Sequence, residues 1–142
     1  MERFKLIASI YLFLIRDDKI LLMRRFHTGY EDGNYGLPAG HLEDNESAIV
    51  GLIREVKEEI RVKIKASDVQ LVHIMHRREK DIRLDLFYTS KSFSGNVTNA
   101  EPDKCDDIRW LELDKRPKNT IGYAKKALRY YQKGIIYSEI GW

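Results

Sequence analysis

Residues 6 to 15 form an almost unbroken apolar run, and after Arg16-Asp17-Asp18-Lys19 a second run, Ile20 to Met23, follows. Two apolar runs of strand length around a charged four-residue turn predict a hairpin, with strands at 4–15 and 19–25. Further strands are predicted at 69–77, 82–91 and 108–113. In the second of these, Ile82, Leu84, Leu86 and Tyr88 alternate with Arg83, Asp85 and Phe87, the period of a strand. Two stretches carry the helical period instead. One runs from Glu46 to about Arg61, with Asp44 or Asn45 as N-cap and Ile49, Leu52, Ile53, Val56 and Ile60 on one stripe. The other runs from about Ile121 to Lys133 and stops at Gly134, with Ala124, Ala127, Leu128 and Tyr131 as its apolar side. Together these elements predict an α/β fold in which a mixed sheet is packed between helices.

A chain of 142 residues gives room for one domain, 1–142, able to bury a core without disulfide or metal staples. With 43% hydrophobic and 33% charged residues it is too apolar for disorder and too charged for a membrane bundle. No repeat or low-complexity tract divides it. The run at 6–15 is too short to cross a bilayer and lacks the small-residue cleavage pattern of a secretory leader. Cys105 stands alone, so it forms neither an internal disulfide nor a cysteine zinc site, and a reducing, cytoplasmic setting is the expectation. The net charge of +3 is spread along the chain. Its nearest concentration, His76-Arg77-Arg78, is interrupted at once by Glu79 and Asp81, which argues for a small-molecule partner over nucleic acid or a membrane.

The first helix carries the chemistry. On a wheel with Ile49 at zero the apolar stripe falls within about 60° of zero, whereas Glu55, Glu58 and Glu59 lie at roughly 240°, 180° and 280°. Gly51 shares their face. Such like charges repel by a few tenths of a kcal/mol per pair, and no lysine four residues away relieves them. An acidic solvated face is the plainer account of three glutamates. A hard divalent cation is the functional one, since Mg²⁺ or Mn²⁺ takes carboxylate oxygens and leaves positions for water and phosphate.

The surrounding spacing decides between the two. Gly40, five residues, Glu46, seven residues, then Arg54-Glu55-Val56-Lys57-Glu58-Glu59-Ile60-Arg61-Val62 closely resembles the signature of the Nudix hydrolases, G-x5-E-x7-R-E-U-x-E-E-x-G-U with U apolar. Six of the seven fixed letters and both apolar positions match. Arg61 departs, standing where the family has the glycine that ends the helix. If its backbone is left-handed the substitution costs about 1 kcal/mol, partly offset by a cation at the negative end of the helix. The resemblance extends to Tyr35-Gly36-Leu37-Pro38-Ala39-Gly40-His41 and to Asp107-Ile108-Arg109-Trp110.

That resemblance implies an α/β/α sandwich and a Mg²⁺-dependent pyrophosphohydrolase. By position it makes Glu55, Glu58, Glu59 and the carbonyl of Ala39 metal ligands, with Arg54 and Glu46 holding the glutamates in place. The proton acceptor is Glu58 or an acid of the loop holding Glu101, Asp103, Asp106 and Asp107. Arg24 or Arg25, at the end of the second strand, is a substrate contact, together with Glu101 and Asp107. His27, His41, His73 and His76 lack metal-ligand spacing and read as structural. Trp110 reads as core, and Trp142 remains free to stack on a base. The region after the signature lacks the proline or tyrosine that marks family members acting on ADP-ribose or dinucleoside polyphosphates. The expected substrate is therefore a nucleoside triphosphate, normal or oxidised, cleaved to a monophosphate and pyrophosphate. The rival readings are ADP-ribose or a nucleotide sugar, the 5′ end of an RNA, and a nucleotide-binding domain without turnover.

Overall fold

The apolar run near the start of the chain is continuous because it is buried on both faces. In the computed structural model, which describes residues 1–142, it forms β1 (Ile7–Phe13). Ile10 and Leu12 pack with Leu52, Val56 and Ile60 of α1 (Ala48–Ile60). Tyr11 and Phe13 point the other way, onto Ala124, Ala127 and Leu128 of α2 (Gly122–Gln132). β3 (Lys19–Arg25) repeats the division, with Leu21 and Met23 on the first side and Ile20 and Leu22 on the second. Two helices thus enclose sheet between them, which is the expected α/β/α sandwich.

The sheet material is divided in two where one mixed sheet was expected. One sheet has the order β5 (Ala39–His41), β1, β7 (Ile82–Ser90), β6 (Val69–Arg78), β9 (Tyr137–Ile140). It is mixed: β1 runs parallel to β7 and β6 parallel to β9, while β6 and β7 form an antiparallel hairpin. The other sheet joins β2 (Ile15–Arg16), β3 and β4 (Tyr35–Gly36), with β8 (Cys105–Glu112) also on β3. No helix is long and apolar enough to cross a membrane.

Two local expectations change, and the condition stated for Arg61 is met. Helix α1 begins later than its charge pattern suggested, because Ser47 and not Asp44 or Asn45 is the N-cap, its side chain accepting from the amide of Val50 at 3.3 Å. Arg61 is left-handed at φ 57°, and its amide closes the helix on the carbonyl of Lys57. Asp85, on the face of β7 with Arg83 and Phe87, is fully buried and not outward-facing. Strand β9 was not predicted at all. It is fixed to β6 by buried His73, whose ring lies 2.7 Å from the carbonyl oxygen of Ile135 and 2.8 Å from the hydroxyl of Ser138. The carbonyl can only accept, so Nδ1 carries a proton.

Candidate active site

A cleft of about 640 Å³ is lined by residues of both sheets and both helices. Its acidic end is built by α1 and by the segment around β5. Gly51 lets the helix approach β1 closely and leaves room for Glu46: a Cβ there would lie 2.8 Å from Glu46 Oε1 and 3.1 Å from Ile10 Cδ1. Gly40 does the same for Glu55, whose carboxyl group occupies the space a side chain at 40 would need.

Arg54 organises the acids. Its Nε and Nη2 donate to the two oxygens of Glu46 at 3.0 and 2.7 Å, and its Nη1 donates to Glu55 at 2.8 Å and Glu58 at 3.3 Å. A cation four residues before Glu58 therefore exists after all, as an arginine and not the lysine whose absence the helix wheel suggested. A planar guanidinium suits the task, because its fork matches one carboxylate while a further N–H reaches the others. The bonds from Arg54 and from the amide of Glu43 pull the Glu46 carboxyl down to about 2.

Glu59 is treated differently. Its Oε1 accepts from the amide of Ala39 at 3.2 Å, and no cation pairs with it. Burial, with Glu55 and Glu101 adding like charge, holds its carboxyl well above the usual range. Burial also raises Glu55, against the pull of Arg54. Glu58 is the freest of the three, with its side chain 57% exposed.

No three acidic or histidine groups are drawn together as a closed metal cage in this arrangement, since Arg54 holds two of the glutamates to itself. The donor set nevertheless fits a hard cation. It offers several carboxylate oxygens facing one cleft, a glycine cradle around Glu55, and in Glu59 a half-buried carboxyl group without an ion-pair partner.

The other expected residues separate. Arg24, Arg25 and Glu101 line the cleft. Arg24 is tied to Asp106 at 2.7 Å, and Arg25 donates to the carbonyl of Tyr30 at 2.6 Å. Asp107 does not line it, because its carboxylate accepts from the hydroxyl of Tyr35 and pairs with Arg109 at 2.6 Å. Among the histidines, His41 reaches the cleft, where its Nε2 meets Arg83 Nη1 at 3.1 Å. Trp110 packs against the α1 side of the core, and Trp142 is 60% exposed beside Arg78 and His76. The acids that interrupt the basic run are used internally: Glu79 pairs with Arg77 at 2.8 Å and Asp81 with Arg83 at 2.8 Å.

The opposite end of the cleft was not anticipated. Tyr11, Tyr30, Arg77 and Tyr123 line it, contributed by β1, the loop 26–34, β6 and α2. The available signal was an arginine at an inward position of β6, two residues from Met75, which called for a buried acid on a neighbouring strand.

A family model described as the NUDIX domain matches residues 5–131. An NAD-capped RNA hydrolase NudC from Pseudomonas putida strain KT2440 is 31% identical over 116 residues, which are 80% of this chain and 39% of that protein. A protein of the same name from Pseudomonas entomophila strain L48 is 28% identical over the same shares. The chain thus spans about two-fifths of the length of these curated relatives. Among solved structures, a MutT NUDIX hydrolase from Burkholderia pseudomallei superposes with a TM-score of 0.81 at 24% identity, covering 88% of this chain and 97% of that one. A MutT protein from Methanosarcina mazei Go1 does so with a TM-score of 0.77 at 19% identity, over 89% and 93% of the two chains. At these identities the likeness is one of fold.

Proposed function

Because the chain belongs to the Nudix hydrolase family, we propose that it cleaves the pyrophosphate bond of a nucleoside diphosphate linked to a further group, with a divalent cation as cofactor. The observation that carries this is the set of α1 carboxylates facing one cleft around the Arg54 fork. Glu55, Glu58, Glu59 and the carbonyl of Ala39 are the residues that would hold Mg²⁺ or Mn²⁺. When bound, the cation supplies charge neutralisation at the phosphate oxygens and a more acidic water.

Arg54 fixes Glu55 and Glu58 through charged hydrogen bonds and is itself fixed by Glu46, so the carboxylates are positioned before substrate arrives. Ala39 N–H anchors Glu59. Glu101, which faces the same site from the loop before β8, accepts the proton as water attacks phosphorus, with Glu58 the alternative where it does not hold the cation. The new P–O bond forms from the water oxygen, the bridging P–O bond breaks, and the leaving phosphate takes the electron pair. Arg25 contacts the substrate's phosphates.

A nucleoside triphosphate giving a monophosphate and pyrophosphate is the reading the residues after the signature support. A second reading, hydrolysis at a capped RNA 5′ end, has its own support. The curated relatives carry the name NAD-capped RNA hydrolase, and the internal pairing of Glu79 and Asp81 leaves Lys80 at the cleft without an acidic partner.

The test is direct. Glu58→Gln and Glu59→Gln should each lower turnover at least about a hundredfold with the fold intact, because glutamine keeps size and helix propensity but not the charge. EDTA should abolish turnover, and added Mg²⁺ should restore it. In ¹⁸O-labelled water, label in the monophosphate marks attack at the α-phosphorus and label in pyrophosphate attack at the β-phosphorus. More than a tenth of wild-type rate in both variants at saturating Mg²⁺ would overturn the site.

A further inference from the structure

The fold gathers the longest acid-free stretch of the chain onto one face. Residues 115–138 hold seven lysines and arginines and no aspartate or glutamate, so the remaining residues, with 18 basic against 22 acidic, are negative overall. Four of the seven cations lie on or at the end of α2. With Gly122 at zero on a helical wheel, Lys125, Lys126, Arg129 and Lys133 fall within about 60° of zero, and the buried Ala124, Ala127 and Leu128 fall on the far side. Lys126, Arg129 and Lys133 are exposed, and Lys125 is half-buried. Arg116 reaches the same helix, donating to Gln132 Oε1 at 3.4 Å, and burial together with the neighbouring charge of Arg129 lowers its guanidinium below the ordinary value. None of these five side chains forms an ion pair; Asp114, the acid beside them, meets the amide of Gln132 at 3.5 Å.

Such a face does nothing for the fold. Like charges four residues apart on a helix repel by a few tenths of a kcal/mol, and Lys125 with Arg129 and Arg129 with Lys133 both have that spacing. The same spacing of three and four hid the cluster in the sequence, where these cations never run together in more than a pair. The face begins at the cleft: Ile121 and Tyr123, on either side of the first residue of α2, line it, and Lys126 follows Tyr123 by about one turn. From Lys126 to Lys133 the helix rises about 10 Å, close to three phosphate spacings of about 3.4 Å in a stacked strand. A lipid surface is a poorer match. The apolar side of α2 is packed on the sheet against Tyr11 and Phe13, so the helix has none to insert, and only Ile135 and Ile136 stand exposed after it.

We propose that the basic face of α2, formed by Lys125, Lys126, Arg129 and Lys133 with Arg116 at its edge, binds the phosphate backbone of a single-stranded RNA whose 5′ end lies in the cleft. This rests on the second reading above, hydrolysis at a capped 5′ end, for what occupies the cleft, whereas the surface itself is defined by its charge. Lysine and arginine on this face meet phosphates and no base edge, so the contact is independent of sequence and weakens with salt. The net negative charge of the rest of the molecule disfavours a polyanion elsewhere, and the strand therefore leaves the cleft along α2 and not across α1.

The experiment measures, by fluorescence anisotropy across a salt series, binding of a labelled RNA of about 12 nucleotides with a 5′ hydroxyl, which needs no turnover in the cleft. For the wild type, log K should fall linearly with log salt. Lys126→Gln, Arg129→Gln and Lys133→Gln combined should reduce that slope by about 2, as expected for three single-strand phosphate contacts, and weaken binding about a hundredfold at about 0.1 M salt. Glutamine keeps helix propensity and removes like-charge repulsion, so this variant should melt no lower than the wild type. Lys63→Gln, Lys65→Gln and Lys91→Gln combined, three exposed lysines outside α2, remove the same charge and should leave the slope unchanged. The α2 variant should also raise KM for a capped RNA of that length by a similar factor, while kcat and KM for the free dinucleotide stay at wild-type values. Equal losses in the two combined variants, no RNA binding by the wild type, or binding to phosphatidylserine vesicles in place of RNA would overturn the inference and leave the hydrolase reading intact. RNA held by α2 whose capped 5′ end is not cleaved would support the surface and refute the second substrate reading.

Discussion

Adding a single methyl group at Gly40 should disable the active site without unfolding the protein. A Cβ at this position would overlap Cγ, Cδ and Oε1 of Glu55, all nearer than the 3.0 Å that real Cβ contacts respect. Gly40 needs no left-handed backbone, so alanine there carries no torsional penalty, and the whole effect falls on Glu55. That side chain must retreat by about 1 Å, a displacement of the size that costs about a hundredfold in rate when a catalytic group is misplaced. A hundredfold loss in kcat/KM corresponds to about 2.7 kcal/mol. The retreat also strains the 2.8 Å bond from Arg54, so Glu58, held by the same Nη1, shifts with it. Stability should change much less. The obstructing atoms are the far end of a side chain, and alanine narrows the unfolded ensemble by about 0.4–1 kcal/mol. The assay is kcat/KM at saturating Mg²⁺, with thermal melting alongside. Gly122→Ala is the control, since nothing lies within 4 Å of a Cβ at that position. Gly40→Ala retaining more than half of wild-type kcat/KM would show that Glu55 is not held where the reaction needs it.

Three further expectations follow from ionisation. The Glu46 carboxyl sits at about 2, below its unfolded value, so its bond to Arg54 contributes stability that is complete above the ordinary carboxylate range and is lost as pH falls from there towards 2. Glu46→Gln should flatten the acid limb of a melting-temperature profile, and an unchanged slope would refute the link. Glu59 is shifted the other way, so in metal-free protein its charge destabilises the fold at neutral pH and protonation relieves it as pH falls through the raised value. Glu59→Gln should therefore raise the metal-free melting temperature at pH 7 to 8, and a drop would count against burial as the cause. Burial pushes the Cys105 thiol up, so a thiol reagent such as DTNB should label native protein far more slowly than denatured protein. Equal rates would contradict the burial.

Much of this was legible from the chain. The alternation and the helical stripe located β1, β3, β6, β7, α1 and α2, because each element is long enough to show its period. β4 and β5 were not legible: two and three residues cannot show alternation, and Ala39-Gly40-His41 has no apolar signal. β9 escaped because its one buried side chain is a serine, matched to a histidine more than 60 residues upstream. The glutamate end of the cleft was readable because one helix and its lead-in carry it in fixed spacing. The tyrosine end was not, because β1, a loop, β6 and α2 each supply one residue, and only the fold brings them together. Asp107 shows the reverse limit: it was expected in a loop of acids but lies on β8, and nothing in the order of residues says that Tyr35 and Arg109 claim its carboxylate.

The attachment of β9 has a consequence for folding kinetics. The β6–β7 hairpin pairs neighbours in the chain and can form early, whereas Ile74 and Tyr137 must close a loop of about 60 residues before their first bond forms. β9 therefore joins its sheet after that hairpin has formed, as does β1, whose register partners on β7 lie still further along the chain. It is an edge strand of four residues, bonded to β6 alone, and so it is also the segment whose amides should exchange first with solvent. When it opens, His73 loses both ring partners inside the core, a cost that opposes the opening. The same event frees the outer edge of β6 at Arg77, whose register partner on β9 is Ile140. Fraying at a strand remote from the glutamates thus releases the edge of the strand that carries Arg77 to the tyrosine end of the cleft.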